Sequence, residues 1–394
     1  MRRPIPVDVG IGLCPEHHAL VLERRPAVAW FDINHDGLDD LVIGSGKGGR
    51  MAVLLADPDG AFHNAIPTNA PVVPDDVVGF AGWALPDGRT VLLNALSRYE
   101  NPGLNSPVFA FEWNIVAGQV GAAPVREITP LGGSTGAIAV ADMDGDGDLD
   151  IFVGGNCLSA GYPKAGPSRI YRQDPAGLVL DKASTAVVQR AGLVNGAVWS
   201  DLNNDGFPDL ILACEWGPVR VFISDHGRLH DASTELGIAG LTGWWQGVTT
   251  GDFDGDGRMD IVASNWGLND GLKASSKIPL HLYYGVIAGS AHIDLLETRY
   301  APELAAEVPA RGLNDLIAAF SAFETFPSHE AFSANTIPTL LKLLPDGDTA
   351  EATTLMSAVF LNRGDHFEIA PLPTEAQFAP AFSVNVADCD GDVD

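Results

Sequence analysis

The sequence predicts an all-β protein built from repeated units of about four short strands, and three observations carry that expectation. A nine-residue acidic pattern, Asp-x-[Asp/Asn]-x-Asp-Gly-x-x-Asp, occurs at 32–40, 142–150, 201–209 and 252–260. Each copy runs straight into a short apolar strand, at 41–43, 151–153, 210–212 and 261–263. The 394 residues include 44 Gly and 27 Pro, so turns are frequent, which suits many short strands better than long helices.

More of the unit repeats than the loop. Segments 178–214 and 229–263 share one order: strand, an Asp followed by Ser-Thr, a Gly-Leu or Gly-Ile turn, strand, acidic loop, strand. Between them Pro218–Gly227 reads as a further strand closed by a turn, so one period has the strand content of a β-propeller blade. A decayed loop at 83–91 keeps Asp87 and Gly88, and the loops then begin at 32, 83, 142, 201 and 252. A second decayed copy is expected at 286–294, keeping Asp294, and a last one starts at 388. The expectation is a seven-bladed β-propeller whose final blade is cut short, in a sequence that is part of a longer chain.

One stretch breaks the pattern. At 303–344, Leu313, Leu316, Ile317, Phe320 and Phe323 recur at helical spacing with no acidic loop among them. This predicts a helical insertion between blades, serving either as a lid or partner surface or simply packing on the propeller's side. The division is therefore blades over 1–302, the insertion over 303–344, and a continuation of the propeller over 345–394.

The acidic loops carry the chemistry. Calcium takes 6–8 oxygen ligands at roughly 2.3–2.6 Å, and side chains at the first, third, fifth and ninth loop positions can converge around it. Those positions hold Asp32, Asn34, Asp36 and Asp40; Asp142, Asp144, Asp146 and Asp150; Asp201, Asn203, Asp205 and Asp209; and Asp252, Asp254, Asp256 and Asp260. Asp388, Asp390 and Asp392 begin the last copy. Glycine at the sixth position permits the reversal that aims them inward. An EF-hand would need Glu at the twelfth position, where Ile43, Val153, Leu212 and Ala263 stand, and would lead into a helix. Magnesium resists dehydration and avoids cages made wholly of protein. The competing reading is a set of acidic hairpin turns, since Asp-Gly is a favoured turn pair.

Composition narrows the partners. With 23 Lys and Arg against 51 Asp and Glu, the formal net charge is −28, which excludes nucleic acid and anionic membrane surfaces as natural partners. No apolar run approaches the ~18 residues of a membrane-spanning helix. The N-terminal Met1-Arg2-Arg3-Pro4 stretch has no signal-peptide core, so either the protein is cytoplasmic or its leader is not in this chain. Cys14, Cys157, Cys214 and Cys389 stand far apart, without the spacing of a zinc site.

The loops, with the strands behind them, resemble the FG-GAP/VCBS repeats of bacterial secreted proteins and of the integrin-α head. Segments 359–378 and Gly243-Trp244-Trp245 through Asn265-Trp266-Gly267-Leu268-Asn269 are similar to bacterial members as well. The resemblance implies a seven-bladed propeller, structural calcium, and a recognition role outside the cytoplasm, in the periplasm or beyond the cell. It does not imply a particular ligand.

Other motifs are weaker. Arg363-Gly364-Asp365 is the tripeptide integrins recognise, but its place between two strand-like runs reads as a hairpin turn. Gly44-Ser-Gly-Lys47-Gly-Gly49 lacks the phosphate-loop spacing. Trp244 and Trp245 either stack on a ligand such as a sugar ring or fill the space between blades. The ten histidines form no metal or nucleophile constellation, and no nucleophile elbow occurs. The sequence thus predicts a calcium-dependent binding or adhesion module for a protein or glycan ligand, and not an enzyme. A carbohydrate-binding lectin is the alternative, and a hydrolase or lyase with a site on the propeller axis is a second. Oligomeric state is not legible.

Overall fold

The computed structural model describes residues 27–65, 72–84, 88, 90–97, 109–116, 119–127, 133–174, 177–269, 271–286, 293–319, 321–343 and 347–386. Sheet one consists of β1 (Val28–Phe31), β2 (Asp40–Ile43), β3 (Ala52–Ala56) and β4 (Phe62–Asn64). Sheet two consists of β5 (Asp76–Ala84), β6 (Thr90–Ser97), β7 (Phe109–Val116) and β8 (Gln119–Glu127). Sheet three holds β9 (Gly133–Ala141), β10 (Asp150–Leu158), β11 (Arg169–Asp174) and β12 (Gly177–Leu180), and is followed by helix α1 (Lys182–Val188). Sheet four holds β13 (Leu193–Ser200), β14 (Asp209–Gly217), β15 (Arg220–Asp225) and β16 (Arg228–Asp231), with β17 (Gly243–Trp244) paired beside β14. Each is an antiparallel meander in chain order.

Sheet five opens with β18 (Val248–Gly251) and β19 (Asp260–Ala263) and is then interrupted. Residues 264–357 form an insertion with its own sheet of β20 (Leu280–Gly285), β21 (Asp294–Ala301), β22 (Ala306–Pro309) and β23 (Asp348–Ala352). Helices α2 (Leu313–Ala319), α3 (His329–Ser333) and α4 (Ile337–Leu340) lie between β22 and β23. The chain then returns with β24 (Ala358–Asn362) and β25 (Phe367–Pro371), and β24 pairs directly with β19, Phe360 opposite Ile261.

The sequence reading is corrected at this point. The helical segment at 303–344 does not separate two units; it belongs to a larger insertion inside one unit. The copy expected at 286–294 falls on the β20–β21 hairpin of that inserted sheet, whose strand order, β22-β21-β20-β23, differs from the meander of the other five. Its residues 287–292, and the last loop from Asp388 to Asp392, lie outside the described residues. The helical periodicity itself has a structural counterpart: Leu313, Leu316 and Phe323 are buried with Leu296, Ile337 and Leu340.

The core lies between consecutive sheets. One cluster joins Ile33, Val42 and Val53 of the first unit to Val77, Leu92 and Leu96 of the second. A further cluster joins Leu93 to Ile151 and Val153, and the next joins Phe152 and Ile170 to Leu210, Leu212 and Phe222. The last joins Ile211, Ala213 and Val221 to Trp245, Ile261 and Phe360. Successive side chains of a strand point to opposite faces. Leu210 and Leu212 of β14 therefore face sheet three while Ile211 and Ala213 face sheet five, which explains an unbroken apolar run where a one-sided sheet would alternate.

Phe360 tests how firmly the interrupted sheet depends on its returning strand. It is fully buried, 5.6 Å between ring centroids from Trp245 and 6.4 Å from Phe367. Phe360→Ala is expected to cost about 3–5 kcal/mol, read from urea unfolding of the full chain.

Candidate metal loops and an aromatic cavity

All four complete acidic loops occupy the same place, the hairpin between the first and second strands of a sheet: β1–β2, β9–β10, β13–β14 and β18–β19. The decayed copy at 83–91 takes the equivalent place between β5 and β6, with Trp83 opposite Val91. The loops share one backbone path. Their sixth residue is a glycine in the left-handed region, with φ of 88°, 94°, 90° and 82° at Gly37, Gly147, Gly206 and Gly257. The fourth is left-handed too, which is why it is His35, Gly145, Asn204 or Gly255 and never a β-branched residue.

The hydrogen bonds repeat as well. In the third loop the Asp201 carboxylate accepts from the Asp205 and Gly206 backbone N–H groups at 3.1 and 2.8 Å, and Asp205 accepts from Phe207 at 2.9 Å. Asp32 and Asp36 do the same in the first loop, as do Asp142 and Asp146, and Asp252 and Asp256. At the third position Asn34 and Asn203 each accept the fifth residue's N–H and donate their side-chain amide to its carboxylate.

The ninth position behaves differently. Asp40, Asp150, Asp209 and Asp260 are at most 1% exposed. Asp209 accepts from the N–H of Leu202 in its own loop at 2.9 Å and from that of Ser224 on β15 at 2.8 Å. Asp40 bridges Ile33 and Ala56, and Asp260 bridges Phe253 and Asn362. Asp150 takes Gln173 at 3.1 Å. Each therefore ties the loop to the third strand of its sheet. Burial pushes these carboxyls upward, Asp150 and Asp209 to about 6. For Asp40 and Asp260 the direction and cause are the same.

The loops that carry four carboxylates bring them close. Single oxygens of Asp142, Asp144 and Asp146 lie within 4.8 Å of one another, and so do those of Asp252, Asp254 and Asp260. Oxygens at that mutual spacing fit around one ion with ligands at roughly 2.3–2.6 Å. Both clusters also meet an arginine that no spacing rule revealed. Arg172 contacts Asp144 and, at 3.0 Å, Asp150. Arg363 reaches Asp254 at 2.6 Å, and its hydrogen bond holds that carboxyl below the usual range. Loops one and three, with Asn at the third position, have no such partner among the described residues.

The remaining motifs find plain structural roles. Arg363-Gly364-Asp365 forms the β24–β25 turn, closed by the Arg363 N–H to the His366 carbonyl at 2.9 Å. The 44–49 stretch bridges sheets one and two, with Lys47 N–H on Asp76 at 2.8 Å and Val77 N–H on the Ser45 carbonyl at 3.0 Å. Cys157 and Cys214 are buried, and burial pushes the Cys214 thiol up to about 12; Cys14 and Cys389 lie outside the described residues. The two tryptophans offered as ligand contacts part ways. Trp245 is 1% exposed in the core, its indole N–H on the Leu241 carbonyl at 3.0 Å, so it is closed to a ligand. Trp244 lines a cavity of about 310 Å³ between sheet four and the inserted sheet, together with Trp216 and Trp266, which spacing alone did not single out.

These features define an all-β protein of repeated meanders, four of which carry an acidic loop at the first hairpin, and two of those loops gather carboxylates that could hold a metal ion. Residues 201–263, which span the third and fourth loops, match the FG-GAP-like repeat, so this part of the chain is an FG-GAP-like repeat. No curated protein matches it. Among solved structures it is similar to an Agrocybe aegerita lectin described as specifically recognising non-reducing terminal N-acetylglucosamine, at 18% identity and a TM-score of 0.36. That likeness covers 63% of this chain and 64% of the lectin. It is also similar to the endo-1,5-alpha-L-arabinanase of Thermotoga petrophila RKU-1, at 10% identity and a TM-score of 0.33, over 72% of this chain and 84% of that one. Both likenesses are loose. Among the described residues no helix is long and apolar enough to cross a membrane.

Asp209→Ala is expected to destabilise the chain by about 2–4 kcal/mol even in chelator, because two buried backbone N–H groups lose their acceptor. Asp205→Ala, which removes an exposed loop carboxylate, should cost well under half of that under the same conditions. Denaturant unfolding of the two variants side by side measures the difference.

Proposed function

We propose that this chain is a calcium-stabilised recognition module, working in the periplasm or outside the cell, whose ligand is a protein or a glycan. The observation that supports this best is the fourfold repetition of one acidic loop at one hairpin, with two of the loops gathering three carboxylate oxygens within 4.8 Å. A cluster of that kind repels itself, and a divalent cation relieves the repulsion. Asp142, Asp144 and Asp146 would hold one ion and Asp252, Asp254 and Asp260 another, with Asp32, Asn34 and Asp36 and Asp201, Asn203 and Asp205 supplying equivalent sets. Bound calcium supplies a fixed positive charge that pins each hairpin's tip, while the ninth aspartate pins its base.

In this reading the five meanders are blades of a β-propeller, with seven as the expected full number. The role is binding and not catalysis. Sites that fill only at the calcium levels found outside the cytoplasm, with Kd on the order of 10⁻⁴–10⁻³ M, suit the proposed location.

Thermal unfolding tests the reading. Excess calcium should raise the Tm well above its value in chelator, by linkage of binding to folding. Asp146→Ala and Asp256→Ala should each lower the Tm in calcium and change it little in chelator. A chain that melts identically in both conditions has no calcium-holding loops.

The effect should depend on pH with a definite sign. In the metal-free fold Asp150 and Asp209 keep their protons up to about 6, above the ordinary carboxyl value of 3.8, so the native state binds more protons than the unfolded chain across that window. Their contribution to metal-free stability is therefore lost as pH rises through it. Calcium held by the neighbouring loop carboxylates favours the charged form of these two groups and so is linked to release of their protons; its stabilising shift should be small near about pH 5 and full above about pH 7. Calorimetric melts at the two pH values, each with calcium and with chelator, measure it.

A further inference from the structure

The cavity between sheet four and the inserted sheet is built differently from the acidic loops. Its walls include Trp216, Trp244 and Trp266. Trp216 and Trp244 stand with ring centroids 5.1 Å apart and planes at 67°, Trp244 and Trp266 at 5.1 Å and 87°. Three indoles at near right angles present π-faces and edges to one small volume, about 310 Å³, near the lower end for ligand pockets.

A carboxylate lies at the same cavity. Glu215 of β14 accepts the Tyr162 hydroxyl at 2.5 Å, and that hydroxyl in turn accepts the Trp216 indole N–H at 2.8 Å. The Asn195 amide donates to the other Glu215 oxygen at 3.4 Å. Tyr162 is buried beside this carboxylate and keeps its proton far above the ordinary range, so it stays a donor. Glu215 is thus aimed and hydrogen-bonded, yet among the described residues no Lys, Arg or His is paired with it. Arg311 also lines the cavity, but its guanidinium is matched by Glu297 at 2.8 Å, and His281 is engaged by Glu307 at 2.7 Å.

Two further observations mark the place as one the fold maintains at a cost. Trp216 has φ of 53°, a left-handed conformation that a bulky residue rarely adopts, where the pairing of β14 with β17 shifts register between Glu215 and Gly217. Bulges and strained residues of this kind are found where a strand must re-aim side chains. In addition, the Trp244 indole N–H is buried and has no hydrogen-bond acceptor among the described residues.

We propose that this cavity binds a small alkylated ammonium compound, with Glu215 as counter-charge and the three tryptophans as walls. A diffuse, weakly hydrated cation is attracted to indole faces, Trp being the best aromatic partner, and loses little on leaving water for apolar walls. The net charge of −28 further concentrates cations at the protein. The inference goes beyond the calcium reading and does not depend on it, since no loop carboxylate lines the cavity.

Isothermal titration of the full chain in calcium, with choline and with its uncharged carbon isostere dimethylbutanol, separates charge recognition from apolar filling. Choline should bind, and the isostere should bind at least about tenfold more weakly, the scale of a desolvated cation–π and charge contact. Glu215→Gln and Trp266→Ala should each weaken choline by about tenfold or more while the calcium-dependent Tm shift stays intact. Choline without detectable heat, or an isostere or a neutral monosaccharide binding as tightly as choline, overturns the proposal. Because the isostere comparison uses the unaltered protein, a misfolded variant does not decide the matter. A silent choline titration in a chain that still gains Tm from calcium removes the cavity reading alone; choline binding in a chain indifferent to calcium removes only the loop reading.

Discussion

The rest of the architecture hangs on one repeated interaction, a buried aspartate at the foot of each acidic loop whose two oxygens accept backbone N–H groups from the loop and from the third strand. A buried carboxylate is costly unless hydrogen-bonded. Here the bonds it makes are those the local backbone needs: a hairpin tip that turns through two left-handed residues cannot satisfy its own amides, and the adjoining strand has an N–H at the same depth. The aspartate thus decides where the first hairpin ends and in what register the third strand joins. In sheet five it does this across the insertion, because Asp260 meets Asn362 at 2.7 Å. Asn362 then extends the tie to the neighbouring unit by donating its amide to the Leu202 carbonyl at 2.8 Å.

With the register fixed, each meander can be apolar on both faces and stack against its neighbours. Leu210–Cys214 of β14 illustrates this, supplying alternate side chains to two different clusters. The exposed rim of the same loops carries the carboxylates that remain, so one short motif contains both a structural aspartate and a set of candidate ligands. The two kinds differ in burial and in the direction of their proton affinities: Asp260 is raised by burial, while Asp254, out at the loop tip, is lowered by Arg363.

Much of this was legible in the sequence because it is local. The Asp-x-[Asp/Asn]-x-Asp-Gly-x-x-Asp pattern and the apolar run after it specify a hairpin through turn chemistry and period alone, and the four loops stand where the pattern puts them. The double duty of the ninth position was not legible, since its partners Ala56, Ser224 and Asn362 lie 15 to 102 residues away. The insertion was misplaced for a related reason. Its helices have a clear period, but the strands around them look like any other strands, and only pairing with β19 shows that β24 belongs to a unit begun a hundred residues earlier. The aromatic cavity is likewise a product of tertiary pairing: Trp216, Trp244 and Trp266 come from three separate segments, and the sequence marked Trp245 as readily as Trp244 although only Trp244 reaches the cavity.

The way the insertion is anchored bears on how the chain folds. Its two ends meet: Asn265 N–H donates to the Ser357 hydroxyl at 3.0 Å, and Gly267 N–H to the Leu355 carbonyl at 2.8 Å. Joining β19 to β24 requires closing a loop of this whole length, and closure entropy grows only with the logarithm of loop length. The insertion has a buried cluster of its own, around Leu296, Leu313 and Phe323, and once that cluster forms β24 is held near its docking edge. Until then, β19 exposes an open strand edge of the kind that templates association between chains. The rate at which the insertion folds therefore sets how long the nascent protein is exposed to misassembly, a selective pressure on residues that touch neither the acidic loops nor the cavity.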